Sequence, residues 1–306
     1  MRREVPLRYV LITPARNEAA HIEKTITSVV SQTVLPSRWV IVSDGSTDLT
    51  DEIAKRYAEE HSWIELIRMP DHEDRHFASK VFCFNAGYDR VRSLDFEIIG
   101  NLDADLSFEP DYFEFLLAKF IEFPNLGVAG TPFIQESSQY DYRFTNIDHV
   151  SGACQLFRRS CFEDVGGYVP IKEGGIDWVA VTTARMKGWT TRTFLGKSLY
   201  HYRKMGTGKS SPLGALFKLG KQDYSLGNHP LWEFLRMFYQ MRFNPYVVSG
   251  LILFAGFMTA AIQAAPRPIS LELITFIRKE QIRRLLERIP LMNRRRKSHE
   301  ELHDKL

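Results

Sequence analysis

The chain has 306 residues, 44% apolar and 25% charged, enough for one large or two modest hydrophobic cores. Twenty-one Phe, twelve Tyr and five Trp argue against disorder, and three scattered cysteines (Cys83, Cys154, Cys161) argue against a disulfide framework or a thiolate zinc site. The net charge of +3 is unevenly placed. Residues 267–306 hold eleven Lys and Arg against six Asp and Glu, leaving a near-neutral body, which disfavours nucleic acid as the partner of the whole chain.

In chain order, the apolar run at residues 9–13 predicts a strand. It is too short for a secretory signal and leads straight into Pro14-Ala-Arg-Asn-Glu18. Ile22, Ile26, Val29 and Val30 fall at i, i+4, i+7 and i+8, so residues 18–33 predict a helix with one buried stripe. Strands at 39–43, 63–69 and 97–102 then alternate with helices at 47–60 and 77–91. Such alternation predicts an α/β fold, a mostly parallel sheet covered on both faces, with ligands bound beyond the carboxyl ends of the strands. Three polar clusters sit at those ends: Arg16-Asn17-Glu18, Asp44-Gly-Ser-Thr-Asp48 and Asp103-Ala-Asp105. Further on, residues 153–157 and 189–195 read as strands and 177–187 as a helix, followed by a polar loop through Ser211.

The C-terminal part differs. Residues 246–265 carry no charge, and twenty helical residues rise about 30 Å, the thickness of a bilayer core. A buried core helix is the bland alternative. From Ser270, a plausible N-cap, residues 271–289 place Leu271, Ile274, Ile277, Ile282, Leu285, Leu286 and Ile289 on one half of a helical wheel, with basic residues opposite. That pattern suits an interfacial helix on anionic lipid, or a helix packed on a partner or core.

Two carboxylates one residue apart at a strand end, Asp103 and Asp105, can turn toward a common point where a hard divalent cation neutralises them. Alone, this D-x-D is more often a solvated turn or a cap. Asp44-Gly-Ser-Thr-Asp48 is likewise a common strand-to-helix turn, with Ser46 or Thr47 capping the helix.

Taken in order, Leu-Ile-Thr-Pro-Ala-Arg-Asn-Glu (11–18), Ser28 and Gln32, Val-Ser-Asp-Gly-Ser-Thr-Asp (42–48) and Asn-Leu-Asp-Ala-Asp (101–105) closely resemble the nucleotide-sugar domain of the family 2 glycosyltransferases, over roughly residues 7–205. Lys80, Asn85 and Gly87 match the helix that such enzymes carry between the second motif and the D-x-D. The resemblance implies a GT-A fold (the Rossmann-like fold of nucleotide-diphospho-sugar transferases) and inverting transfer. It implies a nucleotide pocket lined by Thr13, Pro14, Arg16 and Glu18, with Asp44 at the base edge and Lys80 close to the nucleotide. Asp103 then sits near ribose and metal, Asp105 is the principal ligand of Mn²⁺ or Mg²⁺, and His201 is a candidate third ligand. Arg203 and Lys204 are candidates to bind phosphate as their Gly-containing loop closes. The general base falls on Asp177 in Glu173-Gly-Gly-Ile-Asp177-Trp178, although Ile176 stands where the family's Glu–Asp pair has its first acid, and Ser43 stands where many members have an acid before Asp44. Asp177 as a plain helix cap is the alternative.

The resulting expectation is a UDP-sugar-dependent, metal-dependent hexosyltransferase at the cytoplasmic face of the cell membrane, serving polysaccharide biosynthesis with a lipid-linked or envelope glycan acceptor and no nucleic acid. Residues 1–240 form the catalytic domain, 241–266 the hydrophobic membrane segment and 267–306 the basic amphipathic tail. A basic tail and a nucleotide-sugar site both belong on the cytoplasmic side, so Gly250 and Gly256 are expected to break the apolar stretch into a re-entrant hairpin, or the stretch inserts only shallowly. The alternatives are transfer to a polyprenyl phosphate and a nucleotide-binding membrane scaffold without catalysis. Nucleotidyl transfer is disfavoured because Pro14-Ala-Arg-Asn-Glu18 lacks a Gly-rich phosphate loop.

Overall fold

The computed structural model describes residues 7–70, 77–135, 138–139, 147–203 and 211–287. The chain divides into two compact units, Met1–Met205 and Gly206–Leu306, whereas the sequence suggested a boundary near 240.

The first unit follows the expected alternation: β1 (Tyr9–Ala15), α1 (Ile22–Val30), β2 (Arg38–Ser43), α2 (Thr50–Glu60), β3 (Ile64–Arg68), α3 (Phe77–Val91) and β4 (Ile98–Leu102). Strands β1, β2 and β4 are apolar almost throughout and buried along nearly their whole length, as strands covered on both faces must be. Then come β5 (Leu106–Ser107), α4 (Tyr112–Glu122), β6 (Leu126–Gly130), β7 (Phe133–Gln135), β8 (Ser138–Gln139), β9 (Cys154–Arg158), α5 (Arg159–Val165), α6 (Ile176–Met186), β10 (Thr190–Thr193) and β11 (Leu199–His201). The main sheet has seven strands in the order β10-β6-β9-β4-β1-β2-β3. It is parallel except for β9, which runs antiparallel between β4 and β6. On one side of the sheet Trp39, Leu11, Ile41 and Ile98 share a hydrophobic core with Tyr112, Phe113 and Phe120 of α4, where the Tyr9 and Phe113 rings meet at 5.1 Å. A smaller sheet, β5-β11-β7-β8, pairs segments almost a hundred residues apart in sequence. Because β1, β2 and β4 are parallel neighbours, their carboxyl ends share one edge, and the three polar clusters meet there.

The second unit holds α7 (Pro212–Ser225), α8 (Pro230–Gln240), α9 (Val248–Ile262) and α10 (Leu271–Glu287). Pro at the first position opens both α7 and α8; Ser211 Oγ accepts the Gly214 N–H at 3.2 Å and His229 Nδ1 accepts the Leu231 N–H at 3.1 Å.

The expected membrane attachment is corrected here. Among the described residues no helix is long and apolar enough to cross a membrane. The uncharged stretch from 246 becomes helical only at Val248, after Val247 turns through φ 63°, and α9 ends at Ile262. Its 15 residues rise about 22 Å, short of a bilayer core. Gly250 and Gly256 do not break this helix; they let it pack. A Cβ on Gly250 would lie 2.3 Å from the Met237 carbonyl oxygen of α8, and one on Gly256 would lie 2.1 Å from that of Phe217 in α7. The amphipathic helix α10, capped by Ser270 Oγ accepting the Leu273 N–H at 3.2 Å, buries Leu273, Ile274 and Ile277. Ile274 closes on Gly227, and Arg278 Nε donates to the Gly227 carbonyl at 3.1 Å, so the middle of this apolar face packs into the unit's own core while Leu271 and Leu286 stay exposed. The tail beyond residue 287 lies outside the described residues.

Gly256→Ala is expected to force α7 and α9 apart and to cost about 1–3 kcal/mol, the usual range for overpacking. Denaturant titration of the full chain measures this; an unchanged midpoint would show that the close approach is not maintained in solution.

Candidate active site

Hydrogen bonds lace the loops after β1 and β2 together. Asn17 adopts φ 54°, a left-handed conformation that Asn tolerates. There its Oδ1 accepts the Thr47 N–H at 2.8 Å, while its own N–H donates to Ser46 Oγ at 3.2 Å. The Glu18 N–H donates to Thr50 Oγ1 at 2.8 Å and the Ala19 N–H to Asp48 Oδ2 at 3.1 Å. Ser46 and Thr47, expected as caps of α2, are therefore loop ties. Leu49 holds the N-cap position without a side-chain bond, and Asp48 just before it accepts the Thr50 N–H at 3.0 Å.

On this frame sit most of the anticipated nucleotide-pocket residues. Arg16 Nη1 stands 3.4 Å from Asp44 Oδ2, and the buried Cys83 thiol of α3 donates to Asp44 Oδ1 at 3.4 Å. Burial, reinforced by the Asp44 charge, pushes the Cys83 thiol well above its ordinary range, so it stays protonated and serves as a donor. Pro14 is half-buried. Thr13 is turned elsewhere: fully buried, its hydroxyl accepts the Trp39 indole N–H at 2.9 Å within the sheet's core. Glu18 pairs with Arg203 Nη2 at 2.8 Å, and the same guanidinium reaches the Asn17 carbonyl at 3.3 Å. Arg203 thus binds the loop after β1 in this structure. Lys204 lies outside the described residues.

Asp103 and Asp105 follow β4. Lys80, from α3, places Nζ 2.5 Å from Asp103 Oδ1 and 3.4 Å from the Gly152 carbonyl oxygen. Burial raises the Asp103 carboxyl above its ordinary range; Lys80 pulls it back and Asp105 pushes it up again. Burial alone would lower Lys80, but the charges of Asp103, Asp177 and Asp105 outweigh it and hold the ammonium charged. One ammonium therefore faces more than one acid, and the site has room in its charge balance for a further cation. His201 reaches it because β11 pairs with β5, setting His201 opposite Leu106. Its Nε2 lies 3.6 Å from Asp105 Oδ1, and one ligand atom from each of Asp103, Asp105 and His201 lies within 4.8 Å of the others. Two carboxylates and an imidazole fit a divalent cation such as Mn²⁺ or Mg²⁺. The Gln135 amide nitrogen stands 2.9 Å from His201 Nδ1 and 3.0 Å from the Arg203 carbonyl oxygen. Ligation through Nε2 requires the ring proton on Nδ1, and hence the amide oxygen of Gln135 turned toward it.

Asp177 is the second residue of α6. Gly175, at φ 83°, occupies the N-cap position, and no side chain caps the helix, so Asp177 is not a plain cap. Its Oδ2 instead accepts the Gly152 N–H at 3.0 Å across the site. A Cβ on Gly152 would lie 2.8 Å from Asp177 Cβ, so only glycine lets the two meet. Gly152 thereby joins the two acid groups, with its N–H on Asp177 and its carbonyl near Lys80, which holds Asp103.

Sequence reasoning missed Asn101, Cys83 and Gln135 as parts of the site. Asn101 and Cys83 carried a signal, since each is a polar group inside an otherwise apolar buried stretch. Gln135 carried none, because only the small sheet brings it to His201.

Residues 10–146 match the family described as Glycosyl transferase family 2. The poly-beta-1,6-N-acetyl-D-glucosamine synthase of Staphylococcus epidermidis is 26% identical over 174 residues, covering 49% of this chain and 39% of that protein. The chain thus spans well under two thirds of the length of the curated relatives it matches. Among solved structures, a mannosyltransferase from Pyrobaculum calidifontis in complex with GDP-Man and Mn²⁺ aligns with TM-score 0.54 at 18% identity, covering 94% of this chain and 83% of that one. S. aureus TarS 1–349 in complex with UDP-GlcNAc also aligns with TM-score 0.54, at 14% identity, over 89% of this chain and 78% of that one. These likenesses establish the α/β GT-A fold. With the matched segment carrying both the nucleotide-side loops and the paired acids, residues 10–146 form a family 2 glycosyltransferase domain.

Proposed function

We propose that the protein is an inverting, metal-dependent glycosyltransferase that moves a sugar from a UDP-linked donor to a hydroxyl of a glycan acceptor. The observation that carries this reading is the convergence of Asp103, Asp105 and His201 beside Lys80 at the carboxyl edge of the sheet. Mn²⁺ or Mg²⁺ held by these three residues would supply charge neutralisation for a departing nucleoside diphosphate. Asp44, steadied by Arg16 and Cys83, offers carboxylate oxygens to the base edge, and Lys80 supplies a fixed positive charge near the diphosphate. Asp177 accepts the proton of the acceptor hydroxyl. That oxygen bonds to the anomeric carbon as the bond to the diphosphate oxygen breaks, and the nucleotide leaves with the electron pair. A single displacement of this kind inverts the anomeric centre. The GDP-Man and UDP-GlcNAc complexes of the structural neighbours support a nucleotide-sugar donor. The name of the S. epidermidis relative makes UDP-N-acetylglucosamine the first donor to test and a growing saccharide the first acceptor. A lipid-linked acceptor rested on the apolar stretch after 246, and that support is gone.

Calorimetric titration of UDP in the presence of Mn²⁺ tests the reading. EDTA, or Asp105→Ala, is expected to weaken UDP binding at least tenfold, about 1.4 kcal/mol. UDP affinity indifferent to both overturns it. Thermal-shift screening of UDP-N-acetylglucosamine, UDP-glucose and GDP-mannose with Mn²⁺ then ranks the donors.

A further inference from the structure

We infer that Asn101 is a positioning residue for Asp177, acting through the backbone of Gly152; the inference rests on Asp177 being the base. Asn101 is the penultimate residue of β4, 2% exposed, between Gly100 and Leu102 in a strand that is otherwise apolar. A buried amide is costly unless its hydrogen bonds are made. Asn101 makes one: Nδ2 donates to the Gly152 carbonyl oxygen at 2.8 Å, while Oδ1 is buried with no hydrogen-bond partner among the described residues. Removing the amide would leave the Gly152 carbonyl with only the 3.4 Å contact from Lys80, so the bond both stabilises this junction and fixes its geometry.

What the amide does is hold the middle of a short connecting segment. On one side of Gly152, the Ala153 carbonyl accepts the Asp103 N–H at 2.8 Å, continuing the pairing of β9 with β4. On the other, the Val150 carbonyl accepts from Gln155 Nε2 at 2.8 Å, and Gln155 is itself fixed by the Tyr168 hydroxyl at 2.8 Å. Between these anchors, the peptide plane that carries the Gly152 carbonyl is held on its N–H side by the long bond from Ala153 to Ser151 Oγ at 3.3 Å, so its orientation depends on a firmer grip at the carbonyl. Asn101 provides that grip, with Lys80 a longer second contact at 3.4 Å. The N–H of the same residue is the one hydrogen-bond donor to the Asp177 carboxylate among the described residues. The carbonyl lies in the 152–153 peptide plane and the N–H in the 151–152 plane, so once Asn101 lets go the two planes can turn against each other about the glycine's φ and ψ, and the N–H that aims Asp177 loses its fixed reference. Misplacement of a reacting group by about 1 Å can cost on the order of 10²-fold in rate.

The test compares Asn101→Leu, Asp177→Asn and the double variant in the full-length chain, using whichever of the three nucleotide sugars above stabilises the protein most, with Mn²⁺. Asn101→Leu is expected to stay folded with a somewhat lowered melting temperature, and to keep its calorimetric affinity for UDP and its KM for the donor. Its kcat should fall by about 10- to 100-fold. Added to Asp177→Asn, it should cause no further loss, because both changes disable one device. Full kcat in Asn101→Leu alongside a disabled Asp177→Asn overturns this inference and leaves the proposed base standing. Additive losses in the double variant, or a fall in UDP affinity matching the fall in kcat, also overturn it by reducing Asn101 to a general structural role. Turnover retained by Asp177→Asn removes the base and this inference together. Should Asn101→Leu fail to fold, Asn101→Ala carries the same comparison without the bulk.

Discussion

Asp177→Asn is expected to lower sugar transfer by about 10²- to 10⁴-fold, the usual contribution of a positioned general base, while UDP binding in the presence of Mn²⁺ stays within about twofold of the parent protein. The split follows from where Asp177 stands. Its carboxylate takes the Gly152 N–H through Oδ2, and an Asn oxygen accepts that same bond, so the substitution keeps the position and removes the charge and the ability to take a proton. The groups assigned to the nucleotide and the cation are Asp44, Lys80, Asp103, Asp105 and His201; none of them touches the Asp177 side chain through a hydrogen bond among the described residues, and Lys80, which feels the Asp177 charge, keeps Asp103 as its direct partner. Asp105→Ala should show the converse pattern, with binding and turnover lost together. Steady-state transfer assays beside UDP calorimetry on the two variants decide the matter. Turnover retained by Asp177→Asn would remove it from the chemistry and leave its bond to Gly152 as a purely structural tie.

Arg236→Met is the substitution expected to damage the fold most, costing about 3–5 kcal/mol, because it strips the cation from two buried carboxylates. In the second unit, Asp223 of α7 is 7% exposed and Glu233 of α8 is fully buried. Arg236 Nη1 pairs directly with Asp223 and lies 3.6 Å from Glu233 Oε1. Asn228 Nδ2 donates to Glu233 at 2.7 Å, and Gln281 of α10 donates to Asn228 at 2.8 Å, so three helices share one polar network inside an apolar bundle. Two acids against one arginine leave an excess negative charge in a poorly solvated place. Burial accordingly pushes Asp223 up to about 7 from its ordinary 3.8, with Arg236 opposing and Glu233 assisting, and burial raises Glu233 as well.

The sign of the pH dependence follows. The folded protein binds more protons than the unfolded chain between about pH 4 and 7. The stabilising contribution of the protonated acid is therefore complete below the unfolded pKa and disappears as pH rises through the folded one. Thermal unfolding should show a higher midpoint at pH 6 than at pH 8, and Asp223→Asn should flatten that difference. Equal midpoints at both pH values would mean that the pair carries no extra proton. Replacing all three residues together (Asp223→Asn, Glu233→Gln, Arg236→Met) should restore most of the stability lost by Arg236→Met alone, since a neutral cluster leaves no charge unpaired.

The alternation of β1 through β4 with α1 to α3 was legible in the sequence because each element carries its own periodicity: four apolar residues on one face of α1, and unbroken apolar runs in strands covered on both sides. Parallel pairing then places every strand's carboxyl end on one edge, so the sequence alone implied that Asp44, Asp103 and Asp105 lie near one another. Asp177 as a candidate base came from the motif around it. Three things were decided only by tertiary structure. The antiparallel insertion of β9 puts Gly152 between Asp103 and Asp177, and the β5–β11–β7 pairing of the small sheet delivers His201 and Gln135 to the acids. Neither pairing is encoded by any local pattern, because hydrogen bonding between distant strands has no signature in either strand alone. The third is the fate of residues 246–265. A run of uncharged side chains states that water is unfavourable around them, but it does not say whether lipid or other helices replace it. For one face the answer is helices, since α8 and α7 lie against Gly250 and Gly256 at distances that leave no room for a methyl group, while Leu251, Met258 and Ile262 stay exposed.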